Sequence, residues 1–228
     1  MVTQIYEAID EQEGRALVEA DVDLIGVVAD LKGDYPGVLD IIRANDVFRI
    51  IGNDAKKVLL PFSEHLKEIY ALTNEIQPDI LHIAAGPEII SPSDIQILKA
   101  KFPKVKIMRT IPVENEHSID IAKSYDGVAD YILLDSRSKK NNQIGITGET
   151  HDWNISRKIV EHMSIPVILA GGIGPDNVAE AISKVRPYGV DSKTKTDVQG
   201  TNRKDFEKVR KFVSTAKATE LALLLQQA

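Results

Sequence analysis

The chain has 228 residues, 43% of them hydrophobic and 27% charged, and it contains no cysteine. This composition is typical of a globular protein and excludes disulfides, thiolate metal sites and cysteine nucleophiles. The net charge of −6, with scattered basic residues, argues against nucleic acid or an anionic membrane as a partner. The acidic N-terminus lacks a signal-peptide core and no apolar run reaches membrane-span length, so a cytoplasmic protein is expected.

Eight short apolar runs alternate with segments of helical periodicity. The predicted strands are Thr3–Tyr6, Asp23–Val28, Lys57–Phe62, Asp79–Ile83, Val105–Arg109, Asp130–Leu134, Pro166–Ala170 and Gly189–Val190. The predicted helices lie at about 11–20, 37–45, 63–76, 93–101, 116–125, 154–163, 175–185 and 203–217. Near-continuous apolar character is typical of parallel strands covered on both faces. Strict alternation over this length predicts an α/β fold, one TIM (β/α)8 barrel domain over residues 1–228.

Two stretches leave alternatives open. Val47–Ile51 has the composition of a strand, but the run ending at Phe62 is preferred because it leads directly into the helix predicted from Ser63. The leucine-rich C-terminus is expected to extend the last helix and to pack under the barrel or onto a partner. The oligomeric state stays open, because no residue pattern decides it.

A glycine pair follows the seventh predicted strand and precedes a helix. Gly171 and Gly172 allow the backbone to approach an anion, and a helix N-terminus favours negative charge. In such barrels phosphate sits between the loops after strands seven and eight. The pattern therefore favours a phosphorylated small-molecule ligand over glycines that merely permit a tight corner.

Four motifs in the last part of the chain match one family. They are DYILLDS at 130–136, GITGETHDW at 145–153, PVILAGGIGPDNV at 166–178 and RPYGVD at 186–191. In these motifs the chain resembles the phosphoribosylanthranilate isomerases, barrel enzymes of tryptophan biosynthesis. The likeness is specific over residues 130–191 and thin between 28 and 105. It implies an Amadori rearrangement of an aminosugar phosphate that needs no cofactor.

The resemblance also implies catalytic roles. The family's general acid, an aspartate ending the sixth strand, corresponds to Asp135, which would need a raised pKa to act near neutral pH. The alternative is that Asp135 caps its own loop. The family's general base is a cysteine, and this chain has Gln4–Glu7 in that region. Tyr6 is a poor base because a phenol has a pKa of about 10. Glu7 is the better candidate, unless it is a solvated loop residue.

Further family positions are altered. An arginine that holds the anthranilate carboxylate is missing, and Lys32 could replace it only as a point charge, beside Asp30 and Asp34. Arg109 is expected to reach the barrel mouth and bind a carboxylate or a second phosphate. His82 is expected to face the interior or mouth, as a core residue or as a substrate contact.

The loop after the last strand has lost the family's glycine. Ser192 and Lys193, with Gly145 and Gly148, are expected to bind phosphate there, unless the loop is an exposed charged turn. No spacing of metal ligands or dinucleotide glycines is present, so no metal is expected. Two functions remain open. One is an isomerase with an altered base that acts on the family's substrate or on a changed one, and the other is a catalytically silent paralogue that binds a phosphorylated metabolite or a protein. Weak or absent turnover of phosphoribosylanthranilate itself is expected.

Overall fold

The computed structural model describes residues 1–137, 144–145 and 150–226. In chain order the strands are β1 Val2–Tyr6, β2 Leu24–Ala29, β3 Val38–Leu39, β4 Lys56–Pro61, β5 Ile80–Ile83, β6 Lys106–Pro112, β7 Tyr131–Asp135, β8 Val167–Leu169 and β9 Gly189–Ser192. All of these pairings are parallel, and β1 pairs with both β2 and β9, which closes the sheet. The short β3 pairs only with the end of β2, so eight strands form the barrel wall. The predicted (β/α)8 barrel is confirmed.

The helices lie outside this wall and connect successive strands. They are α1 Glu11–Glu19, α2 Ile41–Ile51, α3 Leu66–Ile76, α4 Pro92–Lys101, α5 His117–Ser124, α6 Trp153–His162, α7 Val178–Val185 and α8 Phe206–Leu225. The expected C-terminal extension of the last helix is confirmed. Leu223 packs against the core, whereas Leu221, Leu224 and Leu225 are exposed. Across the described ranges, no helix has both the length and the apolar character that a membrane crossing requires.

The ambiguous stretch at 46–56 belongs largely to a helix. The Asp40 side chain accepts a hydrogen bond from the backbone of Arg43 and caps α2, and Gly52, with φ +58°, ends it. The predicted end at residue 45 is therefore too early, and the alternative strand at 47–51 is wrong. The preferred third strand, β4, is confirmed. One face of α2 is buried at helical spacing through Ala44, Val47, Phe48 and Ile51.

Alternation along each strand separates two apolar layers. In β6, Met108 lies in the barrel interior with residues such as Leu133 and Ile168. Ile107 and Ile111, at odd-numbered positions of the same strand, belong to the layer between strands and helices. The same alternation decides which polar side chains reach the C-terminal mouth of the barrel.

Candidate active site

A cavity of about 490 Å³ opens at the C-terminal ends of the strands. Its described apolar lining lies at the ends of β2, β4 and β5. Glu64 and Glu88 follow β4 and β5, and the other charged side chains lie on or after β1, β7 and β9. The apolar part comprises Val28, Leu60, Phe62 and Ile89. The charged part comprises Glu7, Glu64, Glu88, Asp135, Arg137, Asp191 and Lys193. Carboxyl groups thus outnumber cations among these lining residues.

Asp135 ends β7 and lies among the charged lining residues. Its Oδ1 accepts a 2.7 Å hydrogen bond from the backbone N–H of Ser136. Burial raises the pKa of Asp135 to about 7, although the Ser136 hydrogen bonds oppose the shift. A Cβ at Gly145 (φ +75°) would lie 2.7 Å from Oδ2 of Asp135, so a glycine is required where this loop crosses the carboxyl. Asp135 is therefore placed to release a proton near neutral pH.

Asp191 is a second buried carboxyl in the same cavity. It lies on β9 in register with Gln4, whose Nε2 donates a 3.0 Å hydrogen bond to Oδ1 of Asp191. Burial, and then the negative charge of Asp135, raise the pKa of Asp191 to about 8. In the sequence, Asp191 belongs to the motif at 186–191 and has no predicted role. The available signal was its position near the end of a barrel strand.

Tyr6 and His82 form the floor of the cavity. The Tyr6 hydroxyl is 2.6 Å from Nδ1 of His82, and Nε2 of His82 is 2.5 Å from Oγ1 of Thr110. Burial raises the pKa of Tyr6 well above its ordinary value, and burial with the nearby Arg109 charge lowers the pKa of His82 to about 3. Both groups are therefore uncharged at neutral pH. Tyr6, His82 and Thr110 therefore form a chain of hydrogen bonds between neutral groups.

Glu7 and Lys193 are tied into a buried ion network. Lys193 Nζ lies 3.5 Å from Oε2 of Glu7 and 3.0 Å from Oδ2 of Asp197, and it donates a 2.9 Å hydrogen bond to Oδ1 of Asn202. Asp197 is also paired with Lys204. Burial raises the pKa of Glu7, and the positive charges of Lys193 and Lys204 oppose this. Lys193 thus forms ion pairs with carboxylates beside the central cavity.

A separate groove of about 370 Å³ lies beyond the glycine corner. Gly171 and Gly172 both have positive φ, +78° and +64°. The Asn177 amide accepts from the Gly174 N–H at 2.8 Å and donates to the Gly172 carbonyl at 3.0 Å, which fixes the corner. A Cβ at Gly171 would lie 3.3 Å from Oδ1 of Asp135, so the corner joins the groove to the cavity. The groove is lined by Gly172, Gly174, Pro175, Asp176, Asn177, Lys195, Lys208 and Lys211.

Arg109 does not reach the mouth, contrary to the sequence-based expectation. It is fully buried on the outer side of β6, where its guanidinium stacks 5.0 Å over the Tyr125 ring. Its Nη1 donates to the carbonyls of Ile83 and Ala85, at 2.8 and 2.5 Å. Met108 and Thr110 take the inward positions on either side. Arg109 therefore supports the chain after β5 from beneath.

Other predicted contacts are distributed more widely than expected. Ser192 Oγ donates 2.7 Å to the Ile173 carbonyl and ties β9 to the glycine corner. Lys32 is exposed in the loop after β2, and its backbone N–H is held at 2.8 Å by Asp30. Gly148 lies outside the described residues. His82 faces inward as expected. Within the described ranges, no group of three or more potential metal ligands is present.

A family model described as N-(5'-phosphoribosyl)anthranilate (PRA) isomerase matches residues 45–215. The chain is 31% identical to the isomerase of that name from Methanocella arvoryzae, covering 92% of this chain and 94% of the relative. It is 33% identical to that of Haloferax volcanii, covering 94% and 92%. Among solved structures, the phosphoribosylanthranilate isomerase of Thermotoga maritima superimposes with a TM-score of 0.76 at 22% identity, covering 96% of this chain and all of that one. That of Pyrococcus furiosus gives 0.73 at 25% identity, covering 96% and 99%.

Proposed function

The chain belongs to the N-(5'-phosphoribosyl)anthranilate isomerase family, and on that basis we propose that it catalyses an Amadori-type rearrangement of an aminosugar phosphate with Asp135 as general acid. The observation that carries the proposal is the position of Asp135. It is a partly buried carboxyl at a strand end that faces a cavity and adjoins a glycine corner.

The first step requires a proton on the ring oxygen of the glycosylamine. Asp135, with its pKa raised to about 7, holds that proton in a substantial fraction of molecules at neutral pH. Its transfer opens the C1–O4 bond and leaves a Schiff base at C1. The nearby Ser136 N–H then stabilises the carboxylate that forms, because it already donates to Oδ1.

The groove beyond the glycine corner supports binding of the sugar phosphate. Gly172 brings the backbone close, and the groove lies near the N-terminus of α7, where the helix dipole favours an anion. Lys195 and Lys208 provide positive charge in the same groove. Lys193 faces Glu7 and the central cavity instead, so we assign the phosphate contacts of this loop to Lys195.

The apolar side of the cavity suits an aromatic amine as the other half of the substrate. Val28, Leu60 and Phe62 line it, and the Tyr35 ring packs 5.0 Å from that of Phe62. A solved phosphoribosylanthranilate isomerase that superimposes with a TM-score of 0.74 binds reduced 1-(o-carboxyphenylamino)-1-deoxyribulose 5-phosphate. That compound combines a sugar phosphate with an aromatic amine, the combination proposed here.

In the described part of the cavity, the cationic side chains that could bind the carboxylate of anthranilate already pair with protein carboxylates. Arg137 is paired with Glu88 at 3.2 Å and with Glu114 at 3.4 Å, and Lys193 is paired with Glu7. Lys32 points its charge to solvent outside the described lining. A charge-assisted contact contributes roughly 1.5–3 kcal/mol, so its loss would weaken anthranilate relative to an uncharged aromatic amine.

The proposal is tested with two substrates made from ribose 5-phosphate, one with anthranilate and one with aniline. Product formation is measured by chromatography against synthetic aminoketose standards, with protein-free blanks. We expect weak turnover of the anthranilate compound, a higher kcat/KM for the aniline compound, and at least a 100-fold loss of kcat in Asp135→Asn. Asp120→Asn, an exposed aspartate on α5, is the matched control. Absence of turnover, or turnover that survives Asp135→Asn, would refute the proposal.

A further inference from the structure

Building on the proposed function, we propose that Asp191 is the general base that removes the C2 proton, so that Asp135 and Asp191 act as an acid–base pair. By the family resemblance, Tyr6 on β1 stands in the region of the family's base. The residue proposed to replace that base, Asp191, lies on β9, which pairs with β1.

The sheet register sets the two carboxyls at one level. Leu134 pairs with Leu169, and Leu169 pairs with Val190. The next residue along each strand is therefore Asp135, Ala170 and Asp191, respectively. Two strand spacings place the outer pair roughly 10 Å apart at Cα, and inward-pointing side chains converge from there.

The residue between the carboxyls is small. Ala170 presents only a methyl group to the interior, where it belongs to the inner apolar layer. Asp135 and Asp191 line the same cavity, so one sugar can lie against both carboxyls. The hydrogen bond from Gln4 holds one oxygen of Asp191 and orients the group.

The other candidates for the base are occupied. Tyr6 keeps its proton because burial raises its pKa, and its hydroxyl is hydrogen-bonded to His82, whose second nitrogen is hydrogen-bonded to Thr110. Glu7 is held by Lys193 within a buried ion network. Asp191 lines the cavity, and among the described residues its contact is the hydrogen bond from Gln4 rather than an ion pair with a cation.

The proton balance of the pair closes. The reactive form of the pair holds one proton on Asp135 with Asp191 ionised, and it is the less populated one-proton form because the pKa of Asp191 lies above that of Asp135. Asp135 gives this proton to the ring oxygen as the C1–O4 bond breaks. The Schiff base that forms is cationic and favours the ionised form of Asp191. Asp191 then takes the proton from C2, and the C2–H electrons form the C1=C2 bond of the enolamine while the C=N electrons return to nitrogen. The pair again holds one proton, and the enolamine tautomerises to the aminoketose.

The experiment uses the full chain and the ribose 5-phosphate adduct of aniline, unlabelled or deuterated at C2. We expect Asp191→Asn to lower kcat by about 10²–10⁴-fold and to raise the C2-deuterium isotope effect on kcat, because proton removal becomes rate-limiting. Asp135→Asn should lower kcat with an isotope effect near one, because ring opening limits it. Asp191→Glu should recover part of the activity, and thermal stabilisation by inorganic phosphate shows that each variant is folded.

The outcomes separate the two proposals. If the unmodified protein turns over no adduct, the proposed function is wrong and the assignment of Asp191 as base is wrong with it. If the unmodified protein is active and Asp191→Asn keeps its kcat, or loses kcat with an unchanged isotope effect, only the base assignment is overturned. Asp120→Asn serves as the substitution control, because its exposed side chain lies away from the cavity.

Discussion

Replacing Asp191 with asparagine should stabilise the protein increasingly as pH rises. The pKa of Asp191 is about 8 in the folded state against an ordinary value of 3.8. Between these values the folded state keeps a proton that the unfolded chain releases, so this group costs stability as pH rises from about 4 through about 8. Asparagine is neutral in both states and can still accept the hydrogen bond from Gln4, so the variant avoids that loss.

The magnitude follows from the gap between the two pKa values. Each pH unit above the unfolded value costs about 1.4 kcal/mol until the folded pKa is reached. Asp191→Asn should therefore gain about 2 kcal/mol at pH 5 and about 4 kcal/mol at pH 7 as upper limits. The change of about 3 kcal/mol between the two conditions is the quantity to measure, because effects of shape cancel in it.

Urea unfolding gives this quantity directly. Trp153 is the single tryptophan and is 9% exposed, so its fluorescence reports loss of the folded state. The unmodified protein, Asp191→Asn and the exposed control Asp120→Asn are unfolded at pH 5 and at pH 7. A stability difference between Asp191→Asn and the unmodified protein that is equal at both pH values would refute the argument, because Asp191 would then ionise like an ordinary aspartate.

Two further predictions concern the phosphate groove. Gly172→Val should abolish thermal stabilisation by inorganic phosphate, because valine cannot readily adopt φ +64°; unchanged stabilisation measured by thermal shift would place the site elsewhere. Lys195→Ala should weaken phosphate binding several-fold, measured by calorimetry at low and high salt. Lys193→Ala should leave the phosphate affinity nearly unchanged. It should destabilise the protein by about 3 kcal/mol in urea unfolding, because it leaves the buried Glu7 carboxylate without that partner. A larger loss of phosphate affinity in Lys193→Ala than in Lys195→Ala would reverse the assignment.

The sequence predicted the barrel because parallel strands covered on both faces are continuously apolar, and that signal survives without knowledge of partners. At Val47–Ile51 the sequence left a strand open as an alternative, and that alternative is wrong. A β-branched, aromatic run of five residues fits either a strand or a buried helix face, and only the packing of α2 against the barrel decides between them.

The same continuity explains why side-chain direction was harder to predict. In a strand buried on both faces, apolar residues do not reveal which positions point inward. The predicted strand ended at Arg109, which suggested a residue at the mouth, but β6 continues to Pro112. Arg109 is therefore a mid-strand residue whose parity places it outside the barrel.

Asp135 was predicted as a candidate because a motif carries it, whereas Asp191 needed the strand register. The placement of Asp191 at the level of Asp135 depends on the pairing of Leu169 with Val190, and no local sequence pattern encodes that pairing. The sequence did not distinguish Lys193 from Lys195 for a related reason. A short 3-10 helix at Thr194–Thr196 separates the two directions, so one lysine faces the cavity and the other the groove.

The floor of the cavity explains why the base would move to β9. The Tyr6 phenol on β1 is hydrogen-bonded to the neutral His82 imidazole, and this pair adds no negative charge beneath the sugar. Its ring also needs a residue without a side chain opposite, since a Cβ at Gly26 would lie 2.2 Å from the Tyr6 ring. Tyr6 is thus fixed by packing as well as by His82, and cannot turn to present an ionised oxygen. Because Tyr6 on β1 cannot act as the base, we assign removal of the C2 proton to Asp191 on the adjoining strand, while Asp135 protonates the ring oxygen.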